Sequence, residues 1–249
     1  MNLMLFEPGE IGQTIPKGDE RNTHLRKVLG KGPGDSFDAG ILGGNRGRGR
    51  IESLAPDGSI SVSLDCHTPP PPKAPLVLAV GFPRPIQLRR LLRELCSMGI
   101  AGLDLISTEL GEKSYRDTKL LVDGGAQAAL KEGLIQARDT IPPALACWPS
   151  LAAWLEGRTG GEEGKLSSAS ILAFDNAPGA LSVQEALEGT GGEKLALLIG
   201  SERGWSPAER KLLDSRAIVR AQMGERALRT ECASIAAASL ALAFLGFFG

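Results

Sequence analysis

The chain has 249 residues, 42% of them hydrophobic and 23% charged, and a formal net charge of −1. These are ordinary values for a globular protein with one large or two modest domains, and the near-zero charge argues against holding nucleic acid by bulk charge alone, though not against local basic patches. Four scattered cysteines (Cys66, Cys96, Cys147, Cys232) without a C-x-x-C pair, and only two histidines, argue against a metal site and for a reduced, cytoplasmic compartment.

Met1 to Glu10 has no basic start and no long apolar run, so no signal peptide is expected. Glu20 to Leu29 reads as one short helix. Around it, strand-like runs at Ser36 to Leu42, Gly49 to Leu54 and Ser59 to Leu64 alternate with Gly, Asp and Pro turns, the spacing of a small β-barrel of roughly 70 residues. In Gly43 to Arg50, Arg46, Arg48 and Arg50 alternate with glycine. That segment reads equally as a flexible loop wrapping phosphates or as a hairpin with one positive strand face.

Pro69 to Pro72 marks a boundary, because four consecutive prolines favour an extended polyproline conformation. Beyond it, strands alternate with helices. Leu76 to Phe82 is a buried-strand run. Pro85 opens a helix whose stripe is Leu88, Leu91, Leu92 and Leu95, and Gly99 fits its C-terminal stop. Leu103 to Ser107, Ser170 to Phe174, Leu195 to Ile199 and Ala217 to Val219 are short strand runs, and Ala126 to Arg138 is helical in pattern. Gly157 to Ser168 and Glu188 to Lys194 read as polar loops. This alternation predicts a parallel sheet with helices on both faces. Cys232 to Gly249 is uncharged and nearly long enough to span a bilayer. Its Ala and Ser content instead predicts a helix buried in a core or subunit interface, with no membrane partner.

No run matches G-x-G-x-x-G after a strand, nor a Walker A loop. A Ser-His-Asp hydrolase is disfavoured because His24 and His67 both lie before the prolines. The pointed feature is Ile199-Gly200-Ser201-Glu202-Arg203-Gly204-Trp205-Ser206, with Glu209 beyond it. It follows an apolar run, so it reads as strand, tight turn, then a helix from near Pro207, with backbone groups free to meet a small ligand. Alone, it reads more readily as an ordinary strand-to-helix turn than as a ligand site. About twenty residues on comes Met223-Gly224-Glu225-Arg226-Ala227-Leu228-Arg229-Thr230-Glu231-Cys232-Ala233, with Thr230 a candidate N-cap. Arg229 and Glu231 there also read as a local ion pair.

Taken in this order, I-G-x-E-x-G-x-S-x-x-E and then L-R-T-E-x-A, the two segments resemble the cofactor loops of the ribosomal RNA small-subunit uridine-N3 methyltransferase family, one of the knotted SPOUT methyltransferases. The resemblance implies an α/β fold: a SPOUT-type trefoil-knotted parallel-sheet domain at 73–249, after a small PUA-like RNA-binding β-barrel at 1–72. In that first part, Phe6, His24-Leu25, Val28-Leu29 and Gly34-Asp35 match family positions. The cofactor it implies is S-adenosylmethionine, held by Phe174, Ile199, Gly200, Gly204, Met223 and Leu228. The implied partner is 16S rRNA or the small ribosomal subunit, contacted by His24, Arg26, Arg46, Arg48 and Arg50. A homodimer is also implied, with Ile235 to Phe248 in its interface.

For the chemistry, Arg229 or Arg84 would stabilise the developing uracil anion, and Glu202 or Glu231 would take the proton or orient an arginine. The sequence departs from the family at several places. Gly30 replaces an arginine, Ser201 a proline and Arg203 a glycine. Glu94 and Ser97 stand where a lysine and a glutamate are usual. Gln136 matches, but Arg138 is offset by one residue. These changes keep two alternatives open: the same fold acting on another RNA base, or a non-catalytic RNA-binding or ribosome-assembly protein.

Overall fold

The computed structural model describes residues 2–159 and 169–248, and the chain divides into two compact units. The first comprises the described residues up to Pro72 together with Leu130–Pro142. The second comprises Lys73–Ala129 and the described residues from Pro143 onward. The segment Leu130–Pro142 thus groups with the first unit, whereas sequence reading runs the second domain without a break from residue 73.

In the first unit, β1 (Met4–Phe6), β2 (Thr14–Ile15), β3 (Ser36–Ile41), β4 (Arg46–Leu54) and β5 (Ile60–Thr68) form a sheet in the order β1-β3-β4-β5-β2. β1 and β3 pair parallel, and the remaining pairs are antiparallel. The inward residues Phe6, Phe37, Ala39, Ile51 and Ile60 make the core, with Leu25 packed among them.

Gly47 and Gly49, within Gly43 to Arg50, answer a packing demand rather than a need for flexibility. A Cβ on Gly49 would lie 2.3 Å from the Phe37 ring, and one on Gly47 would lie 2.0 Å from the Asp65 carbonyl oxygen. Of the two readings of this segment, the ordered hairpin is the one found, with Arg46, Arg48 and Arg50 on the opposite strand face.

The helix expected over Glu20 to Leu29 is an α-helical turn, α1 (Glu20–Thr23), continued by a wider π-turn at His24–Val28. Gly30 beyond it has φ +62°, a conformation that explains glycine where the family carries arginine. The Arg21 guanidinium bonds Glu10 at 2.6 Å and Asp19 at 2.7 Å and lies over the Phe6 ring. Those hydrogen bonds hold both carboxyls below the usual carboxylate range.

In the second unit, seven parallel strands follow the order β10-β12-β9-β11-β6-β7-β8. They are β6 (Ala74–Gly81), β7 (Ile100–Ile106), β8 (Ala144–Trp148), β9 (Ser170–Phe174), β10 (Leu181–Ser182), β11 (Leu195–Ile199) and β12 (Val219–Gln222). The helices are α2 (Pro85–Ser97), α3 (Lys119–Val122), α4 (Gly125–Ala137), α5 (Leu151–Thr159), α6 (Val183–Glu188), α7 (Pro207–Ser215) and α8 (Thr230–Phe244). The second half of α4 lies in the segment that joins the first unit.

Strand alternation splits the apolar residues between the two sheet faces. Ala79 of β6 and Ala196 and Leu198 of β11 pack with Trp154 of α5, Leu213 of α7 and Trp205. Their neighbours Leu76, Leu78, Leu195 and Leu197 point the other way, where α8 packs on β6, β11 and α2. α2 begins at Pro85 after Arg84, buries Leu88, Leu91, Leu92 and Leu95, and ends before Gly99 at φ +75°. Burying those four leucines stabilises the unit by about 1.5–3 kcal/mol each. α5 is pinned by the buried Asp104, which accepts from Trp154 Nε1 at 2.8 Å and from Arg158 at 2.5 Å.

Several boundaries differ from the sequence expectations. β12 begins at Val219, because Ala217 takes a left-handed turn (φ +53°) between α7 and the strand. Arg229, not Thr230, is the N-cap of α8, and Thr230 is already helical. Residues 157–159 of the expected polar loop belong to α5, and the rest of that loop lies outside the described residues. Among the described residues, no helix is long and apolar enough to cross a membrane.

Candidate active site

β9 and β11 lie side by side and end together, with Phe174 opposite Ile199. Past Ile199 the chain makes a tight turn. The Gly204 N–H donates to the Ser201 carbonyl at 2.8 Å, and Gly204 has φ +72°. A Cβ on Gly200 would sit 3.0 Å from the Gly204 backbone, so both glycines are required by the turn.

The turn is held from three sides. Trp205 is fully buried and donates from Nε1 to the Phe174 carbonyl at 2.9 Å. Ser206 and Glu209 form a capping box at the start of α7, and the Glu209 carboxylate also accepts the Glu109 N–H at 3.0 Å. Ser206 Oγ donates to Glu109 Oε2. Finally, Gly81 at the end of β6 lies so close that a Cβ there would stand 2.5 Å from Ser201 N.

Facing the turn, residues 223–228 belong to no helix or strand and form no turn hydrogen bond among the described residues. Their backbone donors and acceptors are therefore open to a ligand. The two segments enclose a cavity of about 500 Å³, within the usual size range of small-molecule sites. Phe174, Ile199, Gly200, Gly204, Met223 and Leu228 all line it.

Asp175 follows Phe174 at the wall. Arg210 grips its carboxylate with two hydrogen bonds, at 2.7 and 3.0 Å, and Arg220 stands 3.6 Å away. The carboxylate in turn raises the Arg210 pKa above its ordinary value. Arg203 also lines the cavity, is exposed, and makes no hydrogen bond or ion pair among the described residues. Apolar side chains beside free backbone groups suit an adenosine-like ligand, so the residues present fit a nucleoside cofactor.

Arg84 and Glu202 meet with 3.7 Å between the guanidinium and the carboxylate, so the fold brings these two together beside the cavity. Arg229 and Glu231 sit at the start of α8, next to the lining residue Thr230, and do not line the cavity themselves. The local ion pair between them is not found among the described residues.

In the first unit, Arg48 pairs with Asp38 at 2.6 Å, as does Arg138 at 2.5 Å. Arg46 donates to the Pro69 and Arg138 carbonyls and Arg26 to the Gly58 carbonyl. Arg50 is exposed and has no partner among the described residues. His24 Nε2 is buried without a hydrogen-bond partner, and burial lowers the His24 pKa below its usual 6.5. On α2, Glu94 pairs with the adjacent Arg93 and Ser97 Oγ donates to the Glu94 carbonyl.

Sequence reasoning missed Asp175, Arg210, Gly81 and Glu109. Only the Ser206-x-x-Glu209 capping box carried a readable local signal. The other contacts join residues 35 to 120 positions apart.

The RNA methyltransferase domain family matches residues 69–242, so the parallel sheet and its paired loops define an RNA methyltransferase. The ribosomal RNA small subunit methyltransferase E of Treponema pallidum is 36% identical over 246 residues, covering 98% of this chain and 91% of the relative. The chain belongs to the ribosomal RNA small subunit methyltransferase E family.

Two solved structures share the fold. A probable rRNA methyltransferase of Porphyromonas gingivalis superposes with a TM-score of 0.75 at 18% identity, covering 99% of this chain and 100% of that one. The small subunit methyltransferase E of Neisseria gonorrhoeae, bound to S-adenosylmethionine, gives 0.70 at 15%, covering 98% and 97%.

Proposed function

We propose that this protein methylates N3 of a uridine in 16S rRNA, using S-adenosylmethionine bound in the cavity between the Gly200–Gly204 turn and the 223–228 segment. The observation that carries the reading is the convergence of six residues from three sequence segments on one cavity, in a chain of this family. When bound, the cofactor supplies an electrophilic methyl group on a sulfonium sulfur. The chain's own residues must hold the base in line with it and manage the N3 proton. Backbone groups of Gly200, Gly204, Met223 and Leu228 hold the nucleoside, with Phe174 and Ile199 as its apolar wall. Glu202 takes the N3 proton, and its partner Arg84 steadies the negative charge that develops on the base. Arg229 and Glu231 act from the start of α8, orienting the segment that faces the turn.

The SPOUT knot is supported by strand order. β11 lies between β6 and β9, the chain continues to β12 beyond β9, and α8 then returns to pack on β6 and β11. The first unit serves as a PUA-like RNA-binding barrel. His24, Arg26 and the strand face carrying Arg46, Arg48 and Arg50 contact rRNA phosphates and sugars in the small subunit.

A homodimer is supported by Leu240, Phe244, Phe247 and Phe248, which are 40–53% exposed along and just past α8 and form the apolar face a second copy would cover. A cytoplasmic location follows from an rRNA substrate. The non-catalytic alternative rested on Arg203. Its backbone has no left-handed strain, and with this side chain present the cavity still measures about 500 Å³.

Titration calorimetry with S-adenosylmethionine and S-adenosylhomocysteine tests the reading. About one site per chain at micromolar affinity is expected, together with an N3-methyluridine located in 16S rRNA by mass spectrometry. A folded protein that binds neither compound, with or without rRNA, refutes it.

A further inference from the structure

Beside the cofactor turn, the loop after β7 opens onto a second cavity of about 510 Å³. Three contacts join it to the turn. Gly111 on its wall lies with its Cβ position 3.7 Å from the Ser201 Cβ. Phe82, also on the wall, directly follows Gly81, which abuts Ser201. Glu109 is bonded to both Ser206 and Glu209.

Ser107 and Thr108 line this cavity. Both hydroxyl oxygens are buried, and neither has a hydrogen-bond partner. Thr108 is only 8% exposed. Buried hydroxyls are normally paired, so two consecutive orphans on one cavity wall mark the place of an absent polar ligand. At the mouth, Lys113 and Arg116 are exposed. Arg116 stands 3.9 Å from Asp117, whereas Lys113 has no ion-pair partner among the described residues.

We propose that this cavity receives the target uracil base, extruded from the RNA, with the Ser107 and Thr108 hydroxyls donating to one of its carbonyl oxygens and Lys113 holding an adjoining phosphate. The proposal rests on the reading of the chain as an rRNA uridine methyltransferase. The chemistry suits the task. Loss of the N3 proton spreads negative charge onto O2 and O4, so donors to one of those oxygens tighten as the reaction proceeds and leave the N3 lone pair clear on its other side. Phe82, only 4% exposed, adds a small apolar contact to the same wall.

The test is Thr108→Val, a near-isosteric loss of one hydroxyl, with Ser107→Ala and the double variant beside it. Methyl transfer is measured on small ribosomal subunits that lack the modification. Affinity for S-adenosylhomocysteine and thermal stability are measured on the same proteins. T108V should lower kcat/KM about tenfold, the loss expected for one hydrogen bond that strengthens in the transition state. The double variant should lose more, and Thr108→Ser should recover most of the activity. Cofactor affinity should stay within twofold, and the melting temperature should hold or rise, because an unpaired buried hydroxyl has been removed. Unchanged kcat/KM in T108V and in the double variant overturns the proposal. So does a loss of activity that merely tracks lost stability or lost cofactor affinity. Wild-type protein that methylates no rRNA overturns the underlying functional reading instead.

Discussion

Gly81→Ala is a single-methyl change outside the cavity lining that should disable the proposed cofactor site. The added Cβ would stand 2.5 Å from Ser201 N, 2.9 Å from Ser201 Cα and 3.0 Å from the Gly200 carbonyl carbon. All three are backbone atoms, so no side chain can swing aside. Relief requires the Gly200–Gly204 turn to retreat by about 1 Å, and overpacking of this kind costs about 1–3 kcal/mol. In a chain of this size that is a fall of roughly 2–12 °C in Tm. The binding effect should be larger in proportion, because a shift of about 1 Å in a positioning loop costs on the order of a hundredfold in function. Calorimetry with S-adenosylhomocysteine should show at least tenfold weaker binding. Gly102→Ala is the control: its Cβ would meet a Val77 methyl at 3.3 Å, which can yield. A G81A protein that binds within twofold of wild type and melts at the same temperature would show that the strand end does not set the turn.

Glu209→Ala should destabilise by about 2–4 kcal/mol in urea denaturation, because it strands the buried N–H of Ser206 and the partly buried N–H of Glu109. Glu209→Gln, which keeps one acceptor oxygen, should lose about half as much, and equal losses would refute the two-acceptor account. His24 should titrate by NMR with a midpoint below 6.5, since burial disfavours its charged form. The unfolded chain then binds the proton more readily. The contribution of His24 to stability is therefore full above pH 6.5 and is lost as the pH falls through the folded-state value. A midpoint above 6.5 would reverse that sign. Arg50→Ala should flatten the salt dependence of rRNA binding by about 0.7 per lost phosphate contact. Arg46→Ala should in addition reduce order at Pro69 and Arg138, whose carbonyls it bonds. A salt slope unchanged in R50A would remove that arginine from the RNA surface.

Ser170–Phe174 and Leu195–Ile199 were legible to the residue because both are fully flanked strands, whose apolar runs need no second signal. β8 was not, because it is an edge strand whose residues Ala144–Trp148 are all at least partly exposed, so its pattern carries no buried face. The arginine–glycine run was ambiguous for a different reason. Glycine there serves the Phe37 ring across the sheet, a demand set by tertiary contact and not by local conformation. Residues that line the cavity could be named in advance because they fall in two contiguous, glycine-marked segments. Gly81, Glu109 and Asp175 could not, since their importance arises only when strands distant in sequence end at the same place. Even the transfer of Leu130–Pro142 to the first unit has no compositional marker. It is visible only in contacts such as Arg138 with Asp38.

The position of β11 between β6 and β9 has a consequence for biosynthesis. β6 closes its sheet through a neighbour that is made more than a hundred residues later. A nascent chain that has emerged as far as β9 holds two strands with an open slot between them, and long-range parallel pairing of this kind is slow to form. Every wall of the cavity between the turn and the 223–228 segment comes from residues 174–233, so no pocket exists until the chain as far as residue 233 has left the ribosome. Ligand and fold are therefore completed together, and a cofactor present at a hundred times its Kd would draw that last step forward by about 2.7 kcal/mol. An enzyme that acts on ribosomal RNA would thus stay inert until the last of these loops had left the ribosome making it.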